Sequence, residues 1–386
     1  MRRREGTLSA PPATTRFAAS CLATAVLVAL PAPADVVQTL DGRLTGRAAL
    51  RPEGVVLGER TVAAAELLFV NFDRKGRTFR RPNTVRLTNG EVWRCDILSL
   101  TADKLKVRSP FFGTREVRKA DVRALEFQAR LPSEAHLATN TLYRTSGEPL
   151  PGSLLWISPT QIAVDSPLGA LAMDRKGATR FLLAGRRLRR GRNGEGEVVL
   201  VDGTVLRGRL GLAADVVRLT HDALGELALP VEAVLSFLRH GPNVIYLAEL
   251  PFEAKARSLL GEGGQVRTVD RHLPGQGAGA AGFLRSVAIQ PATALTVRLP
   301  DGPGRRVLRA CAAPVPGARG AAILRVRQGE RLLFEKSVPA SQARAVPLSV
   351  ELPAGDQVTI DVSFDRRVRL PCGVVLADPH VVTRRR

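Results

Sequence analysis

Apolar and polar positions alternate along this chain in short runs, and the runs fall into four similar sets. Each set is built around a polar residue followed by glycine: Asp41-Gly42, Asn89-Gly90, Ser146-Gly147 and Asp202-Gly203. In the last three sets a second glycine follows, at Gly113, Gly169 and Gly225. Each set closes on an apolar run, at 67–70, 125–127, 181–183 and 234–238. Recurrence at a period of about 50 residues marks one supersecondary unit used several times. Alternation at 43–47, 84–88, 104–108 and 204–210 predicts half-buried strands. Asn89-Gly90 gives the strongest hairpin signal, because both residues accept positive φ. The pattern predicts about five short strands per set, joined by tight turns, in an all-β chain.

So many strands in so short a unit close only as a small bent barrel or two short packed sheets. Their order resembles an SH3-like or Sm-like barrel. The predicted repeats occupy 35–73, 84–128, 139–184 and 197–239. The third is the loosest, because Pro149 and Pro151 weaken pairing beside its first turn. Modules of this size are marginal alone, so neighbours are expected to share core as beads in series. Between the third and fourth lies an Arg/Gly-rich linker, 185–196, without apolar period. Residues 240–265 read as a connector with a short helix at 252–260. From 266 to 383 strands and Gly/Pro turns alternate without a helical period, which predicts an antiparallel β-sandwich.

The N-terminal pattern differs. Arg2, Arg3, Arg4 and Arg16 precede and open an apolar stretch at 17–30, and Ala32-Pro33-Ala34 follows. A basic region, an apolar run too short for a comfortable span and a small-residue site predict a signal peptide over 1–34. The expected mature chain starts near Asp35 and is exported to the periplasm, cell surface or exterior, without a transmembrane span. The net charge of +21 attracts acidic polymers without requiring a specific nucleic-acid site. Cys311 and Cys372 share the last predicted domain, where they form a disulfide or stay as two buried thiols. No Cys-x-x-Cys or Cys/His cluster occurs, so neither metal nor cofactor is expected.

Candidate chemistry is sparse. There is no Gly-x-Ser-x-Gly and no P-loop, and the glycine run 275–279 precedes no helical pattern. Ser109-Pro110 and Ser166-Pro167 read as turn starters. Glycoside hydrolysis needs two carboxylates across a cleft; Asp361, Asp365 and Asp378 share a domain but fall at strand, turn and cap positions. His136, His221, His240, His272 and His380 lack a ligand partner at helical or hairpin spacing, which predicts surface or loop roles. The large polar-tipped aromatics are Trp93, Tyr143, Trp156 and Tyr246. Trp93 alternates beside charged residues: it either packs in the core or, exposed, forms a contact surface with Arg94 and Arg108.

The C-terminal part resembles a known family. The hairpin at 323–335, turning at Gln328-Gly329-Glu330, is similar to the "V-x-x-D-G-x-x-x-F" hairpin of NPCBM/NEW2-type carbohydrate-binding modules. Residues 346–350 and 357–362 resemble the next two strands. Residues 373–382, containing Ala377-Asp378-Pro379, resemble the closing "W-A-D-P-x-L", with Leu376 in place of the Trp, and 282–299 resemble the opening. The resemblance implies a galactose-binding-like sandwich that meets a polysaccharide or glycan, with Asp378 and His380 as ligand-contacting candidates. The resulting expectation is an exported, non-enzymatic binding protein with the repeats as platform. The alternatives are an envelope structural or assembly protein docking on acidic polymers or proteins, and an accessory or cryptic glycoside hydrolase.

Overall fold

A computed structural model describes residues 35–72, 83–128, 138–183, 194–241, 243–256, 266–269, 286–300, 304–342, 345–365 and 371–384. The predicted signal peptide, most of the 185–196 linker, the glycine run 275–279, the start of the family-like opening at 282–285, His136 and His272 lie outside the described residues. All described regular structure is strand, interrupted by 3₁₀ turns. The chain is therefore all-β, as its period-two patterning requires. Lys104–Ser109 shows the cause: its residues alternate exposed and buried, sending Leu105 and Val107 inward and Lys104, Lys106 and Arg108 to solvent.

The fourth module displays the plan. Its strands are Glu195–Leu200, Val205–Ala213, Val216–His221 and Gly225–Pro230, then a 3₁₀ turn and a closing strand, Val234–Arg239. The first strand pairs with the second and with the closing strand, the second with the third, the third with the fourth. The spatial order is fourth, third, second, first, closing. In the other modules the long second strand is broken: Arg43–Gly46 with Ala48–Arg51, Val92–Arg94 with Asp96–Leu100, and Leu150–Pro151 with Ser153–Ile157. In the fourth module it runs unbroken through Gly208. A Cβ on Gly208 would stand 2.3 Å from the Thr220 carbonyl oxygen, so only a bare Cα lets the third strand cross so closely.

The polar-glycine turns differ from the two-residue form that Asn89-Gly90 predicts. The Gly90 N–H donates to the Leu87 carbonyl at 3.1 Å, and the Leu87 N–H donates to the Glu91 carbonyl at 3.0 Å. Gly90 takes φ +92°, while Asn89 stays at negative φ. This is a three-residue loop with a glycine bulge. Asp202-Gly203 repeats it through Gly203 to Leu200 and Leu200 to Thr204, both 2.8 Å.

The modules do not follow one another in chain order. The closing strand of the second, Val122–Glu126, pairs with that of the third, Ala178–Leu182, in the register Leu125↔Phe181. The closing strand of the fourth pairs with that of the first, Leu67–Asn71, in the register Phe237↔Val70. One bridge, Val92↔Val205, links the two pairs. The order along the sheet is third, second, fourth, first, which corrects the expected series of beads. The physical reason is that Leu67, Leu68, Phe69 and Val70 are all buried, so this strand must be covered on both faces. One apolar core then runs through all four modules, from Val37 and Trp93 to Phe181 and Phe237. At the second–third joint, buried Glu126 accepts from Arg86 and Arg180, each at 2.6 Å.

The remaining strands form the sandwich. One sheet holds Val266–Val269, Ser286–Ile289, Val374–Arg384, Arg305–Pro314 and Val346–Leu352, with Val244–Tyr246 added on Val374–Arg384. The other holds Phe252–Ala256, Thr293–Arg298, Gln357–Phe364, Ala322–Gln328 and Arg331–Val338. Leu295, Val326 and Ile360 pack in one core with Leu308, Leu348 and Leu376. The helix expected at 252–260 is a strand over its described part, because Phe252–Ala256 pairs along the whole of Thr293–Val297. The expected connector thus supplies a strand to each sheet. A third apolar cluster, including Phe69, Leu238, Val244, Tyr246 and Val382, seats the sandwich on the first and fourth modules.

Replacing Gly208 with Val drives a side chain into the Thr220 carbonyl. The expected loss is about 3 kcal/mol, read as a lower midpoint in urea unfolding. An unchanged midpoint contradicts the close strand crossing.

A polar cleft between the second and fourth modules

The joint between the two module pairs is thin, and polar side chains fill it. A cleft of about 580 Å³ opens there, lined among others by Asn89, Glu91, Arg207, Thr220 and His221. The glycine-bulge turn places Glu91 immediately after Gly90, at the start of a strand that enters the joint. Glu91 is buried. Its Oε2 accepts from Trp93 Nε1 at 2.7 Å and from His221 Nε2 at 2.9 Å, and its Oε1 accepts from Asn89 Nδ2 at 2.9 Å.

His221 ends the third strand of the fourth module. Its Nδ1 accepts from the backbone N–H groups of Ala223 at 3.0 Å and Leu224 at 3.1 Å. That assigns the proton to Nε2, which donates to Glu91. In the second and third modules a serine holds the same turn: Ser109 Oγ accepts from Phe111 N, and Ser166 Oγ accepts from Leu168 N. Both expected turn starters thus act as turn caps, and the fourth module substitutes a histidine that reaches across to the second.

Arg207 closes the other side. Its Nε donates to Glu197 Oε2 at 2.9 Å and its Nη1 to the Asn89 carbonyl at 2.5 Å, pinning the second module's turn. Arg94 stands at the equivalent place in the second module. Its backbone N–H donates to Thr204 Oγ1 at 3.1 Å and its Nη1 bonds Thr84 Oγ1. Burial lowers the Arg94 pKa, with Glu126 acting in the opposite direction.

Both Glu91 oxygens and both His221 nitrogens are hydrogen-bonded within the protein, which fixes their orientation at the cleft. The lining balances Arg118, Arg207 and Arg209 against Glu91, Asp121, Glu195 and Asp222. Among the described residues no group of three or more His, Cys, Asp or Glu side chains is placed to hold a metal ion.

The residues singled out by sequence lie elsewhere. Trp93 is fully buried beneath the cleft, its ring 5.3 Å from Phe112 and 5.9 Å from His221. The core alternative holds for it, and the exposed contact surface is corrected: the Val92↔Val205 bridge brings the fourth module over that strand. Arg94 sits in the same joint, whereas Arg108 is exposed on a different sheet beside Asp96 at 3.5 Å. Asp378 and His380 are only 6% and 3% exposed, so their expected role in meeting a ligand is corrected too. Asp378 lies in the bulge where Val374–Arg384 slips against Arg305–Pro314, and His380 resumes the pairing opposite Arg309. His380 Nδ1 bonds the Asp378 carbonyl at 2.6 Å, and its ring lies 5.8 Å from Tyr246, which lies 5.4 Å from His240. His240 in turn bonds Glu249 at 2.8 Å. The three described histidines are thus buried, not at the surface.

Cys311 and Cys372 are free thiols. They belong to different apolar clusters, Cys311 with Val375 and Ala377, Cys372 with the sandwich core. Burial raises the pKa of both, against the pull of Arg43 on Cys311. The candidate acids do not converge: Asp361 lies 3.2 Å from Arg327 and Asp365 accepts from Ser337 at 2.9 Å on one sheet, while Asp378 is on the other.

No family model and no curated protein matches the sequence. Several solved structures are similar in part. CBM51 from Clostridium perfringens GH95, in complex with methyl-galactose, is 13% identical with a TM-score of 0.29, over 36% of this chain and 99% of that one. The tandem CBM51 modules of a family 98 glycoside hydrolase from Streptococcus pneumoniae are 8% identical with a TM-score of 0.31, over 64% and 89%. The CBM51-2 and INT domains of Clostridium perfringens ZmpB are 13% identical with a TM-score of 0.29, over 44% of this chain; the match spans only 36% of that chain's length.

Two outcomes follow. Glu91→Ala leaves the Trp93 and His221 donors without their carboxylate and is expected to cost about 3 kcal/mol, with a shift in tryptophan emission. Loss of under about 1 kcal/mol with unchanged emission contradicts the network. Burial takes the His380 pKa from its ordinary 6.5 down to about 4. The folded state thus binds fewer protons than the unfolded state between these values. Its contribution is complete above pH 6.5 and is lost as pH falls toward 4, amounting to about 3 kcal/mol. The stability difference between wild type and His380→Asn should shrink across that window in pH-dependent denaturation. A constant difference contradicts the assignment.

Proposed function

We propose that this chain is a non-enzymatic binding protein that holds a neutral, hydroxyl-rich saccharide in the cleft between its second and fourth modules. The observation that carries the reading is the cleft: about 580 Å³, within the size range of small-ligand sites, with donors and acceptors held in place by one another. Sugar hydroxyls both donate and accept, and fixed side chains reward them without reorganising. The near balance of arginines and carboxylates in the lining favours an uncharged ligand, whatever the chain's overall positive charge attracts elsewhere. The sandwich packs on this platform through the apolar cluster it shares with the first and fourth modules. The basic, apolar and small-residue order of 1–34 supports a place outside the cytosol.

A second reading, an envelope assembly protein docking on acidic polymers, is supported by the net charge of +21. The two separate by salt. A neutral saccharide bound in the cleft keeps its affinity as ionic strength rises, whereas polyanion binding falls steeply. Titration calorimetry with neutral and acidic oligosaccharides is expected to find a neutral ligand whose binding is lost in Arg209→Ala and Asp222→Ala. Binding only to polyanions, or saccharide binding indifferent to both substitutions, overturns the cleft reading.

A further inference from the structure

Edge strands normally carry charge, proline or a cover, because their free N–H and C=O groups invite another strand. The six-stranded sheet shared by the second and third modules has two such edges. One, Gly113–Arg118, exposes Thr114, Arg115, Glu116 and Arg118. The equivalent strand of the fourth module, Gly225–Pro230, carries Glu226 and ends on proline. The other edge of the shared sheet, Gly169–Asp174, has the sequence Gly-Ala-Leu-Ala-Met-Asp and is exposed at every residue but the half-buried Met173. Among the described residues it pairs on one side only, with Gln161–Ser166.

Exposed apolar side chains lie on and near this edge, Leu171 on it, Leu168 in the turn before it and Trp156 two strands inward on the other face. Leu171 is 37% exposed, Trp156 37% and Leu168, in the preceding turn, 87%. The register Trp156↔Ala163↔Ala172 puts Trp156 and Ala172 in one row, and Leu154↔Val164↔Leu171 puts Leu171 in the neighbouring row that runs into the core. Of the charges beside it, Asp165 is exposed opposite Ala170 on the neighbouring strand, and Arg175 and Asp174 are bonded locally. Arg175 Nη1 donates to the Ile97 carbonyl at 2.9 Å, and its guanidinium lies 5.2 Å from the Phe127 ring. Asp174 accepts from the Lys176 N–H at 2.8 Å.

We propose that Gly169–Asp174 joins the same strand of a second copy of this chain in antiparallel pairing about a twofold axis. The strand is complementary to itself. Centred on Leu171, Leu171 faces Leu171 and Ala170 faces Ala172. Centred on Ala172, Leu171 faces Met173. In neither register does Asp174 meet another charge, and a twofold contact closes at a dimer. The contact also continues a device the chain already uses, since its modules join by antiparallel strand pairing at Leu125↔Phe181 and Phe237↔Val70.

Sedimentation of the full chain over a range of concentrations is expected to reach the mass of two chains. Ala172→Lys, which gives this edge the charge of its counterpart, is expected to stay at the mass of one chain with unchanged thermal unfolding. Either Leu171→Cys or Ala172→Cys is expected to oxidise to a linked dimer, according to which residue lies on the axis. A wild-type chain that remains single at the highest concentration, an Ala172→Lys chain that still pairs, or failure of both cysteine variants to link overturns the proposal.

Discussion

The pairing of closing strands is the constraint on which the rest of this structure depends. A five-strand module ends on a strand that is apolar on both faces and has one bare edge, a combination that water does not tolerate. The chain meets it by setting closing strands against each other, the second module's with the third's and the fourth's with the first's. Because the first module pairs with the fourth, the second–third pair is held between them in sequence and beside them in space. Phe69 and Leu238, brought together in the first–fourth pair, then give Tyr246 and Val382 an apolar seat for the sandwich.

The cleft follows from the same order. Two pairs of modules meet through one bridge, Val92↔Val205, too little to exclude water along the joint. The polar-glycine turns of the second and fourth modules lie at opposite ends of that antiparallel bridge, Gly90 beside Arg207 and Gly203 beside Arg94, and their following residues take related but unequal roles. Arg94 and Arg207 each reach toward the opposite module, while Glu91 and Thr204 supply the buried acceptors. The symmetry breaks at His221, which caps its turn as Ser109 and Ser166 do and adds a bond to Glu91 that a serine is too short to make. A repeated unit thereby yields one distinctive site without adding an element.

The strands were legible in the sequence because their signal is local. Lys104–Ser109 alternates so regularly that its faces follow from periodicity alone. Gly90 and Gly203 marked their turns, although the loop proved one residue longer than Asn-Gly implies. Which modules touch was not legible, since the Phe237↔Val70 register depends on contacts between distant segments. The site was lost for that reason. Glu91 and His221 lie 130 residues apart and neither stands in a motif. One trace was available: His221 occupies the turn position where two other repeats have serine. Trp93 was correctly marked as distinctive, with burial as one of its two readings, but Asp378 and His380 follow the sandwich's closing strand into its seat rather than to solvent.

The module order depends most directly on the first module lying against the fourth. Asn71 and Ser236 are opposite each other in that joint, close enough in an antiparallel ladder for a disulfide. The Asn71→Cys, Ser236→Cys double variant, oxidised and mapped by mass spectrometry after proteolysis, should carry an intrachain cross-link between these two positions. Absence of that link, with both cysteines open to alkylation in the folded protein, would contradict the module order and the cleft that arises from it.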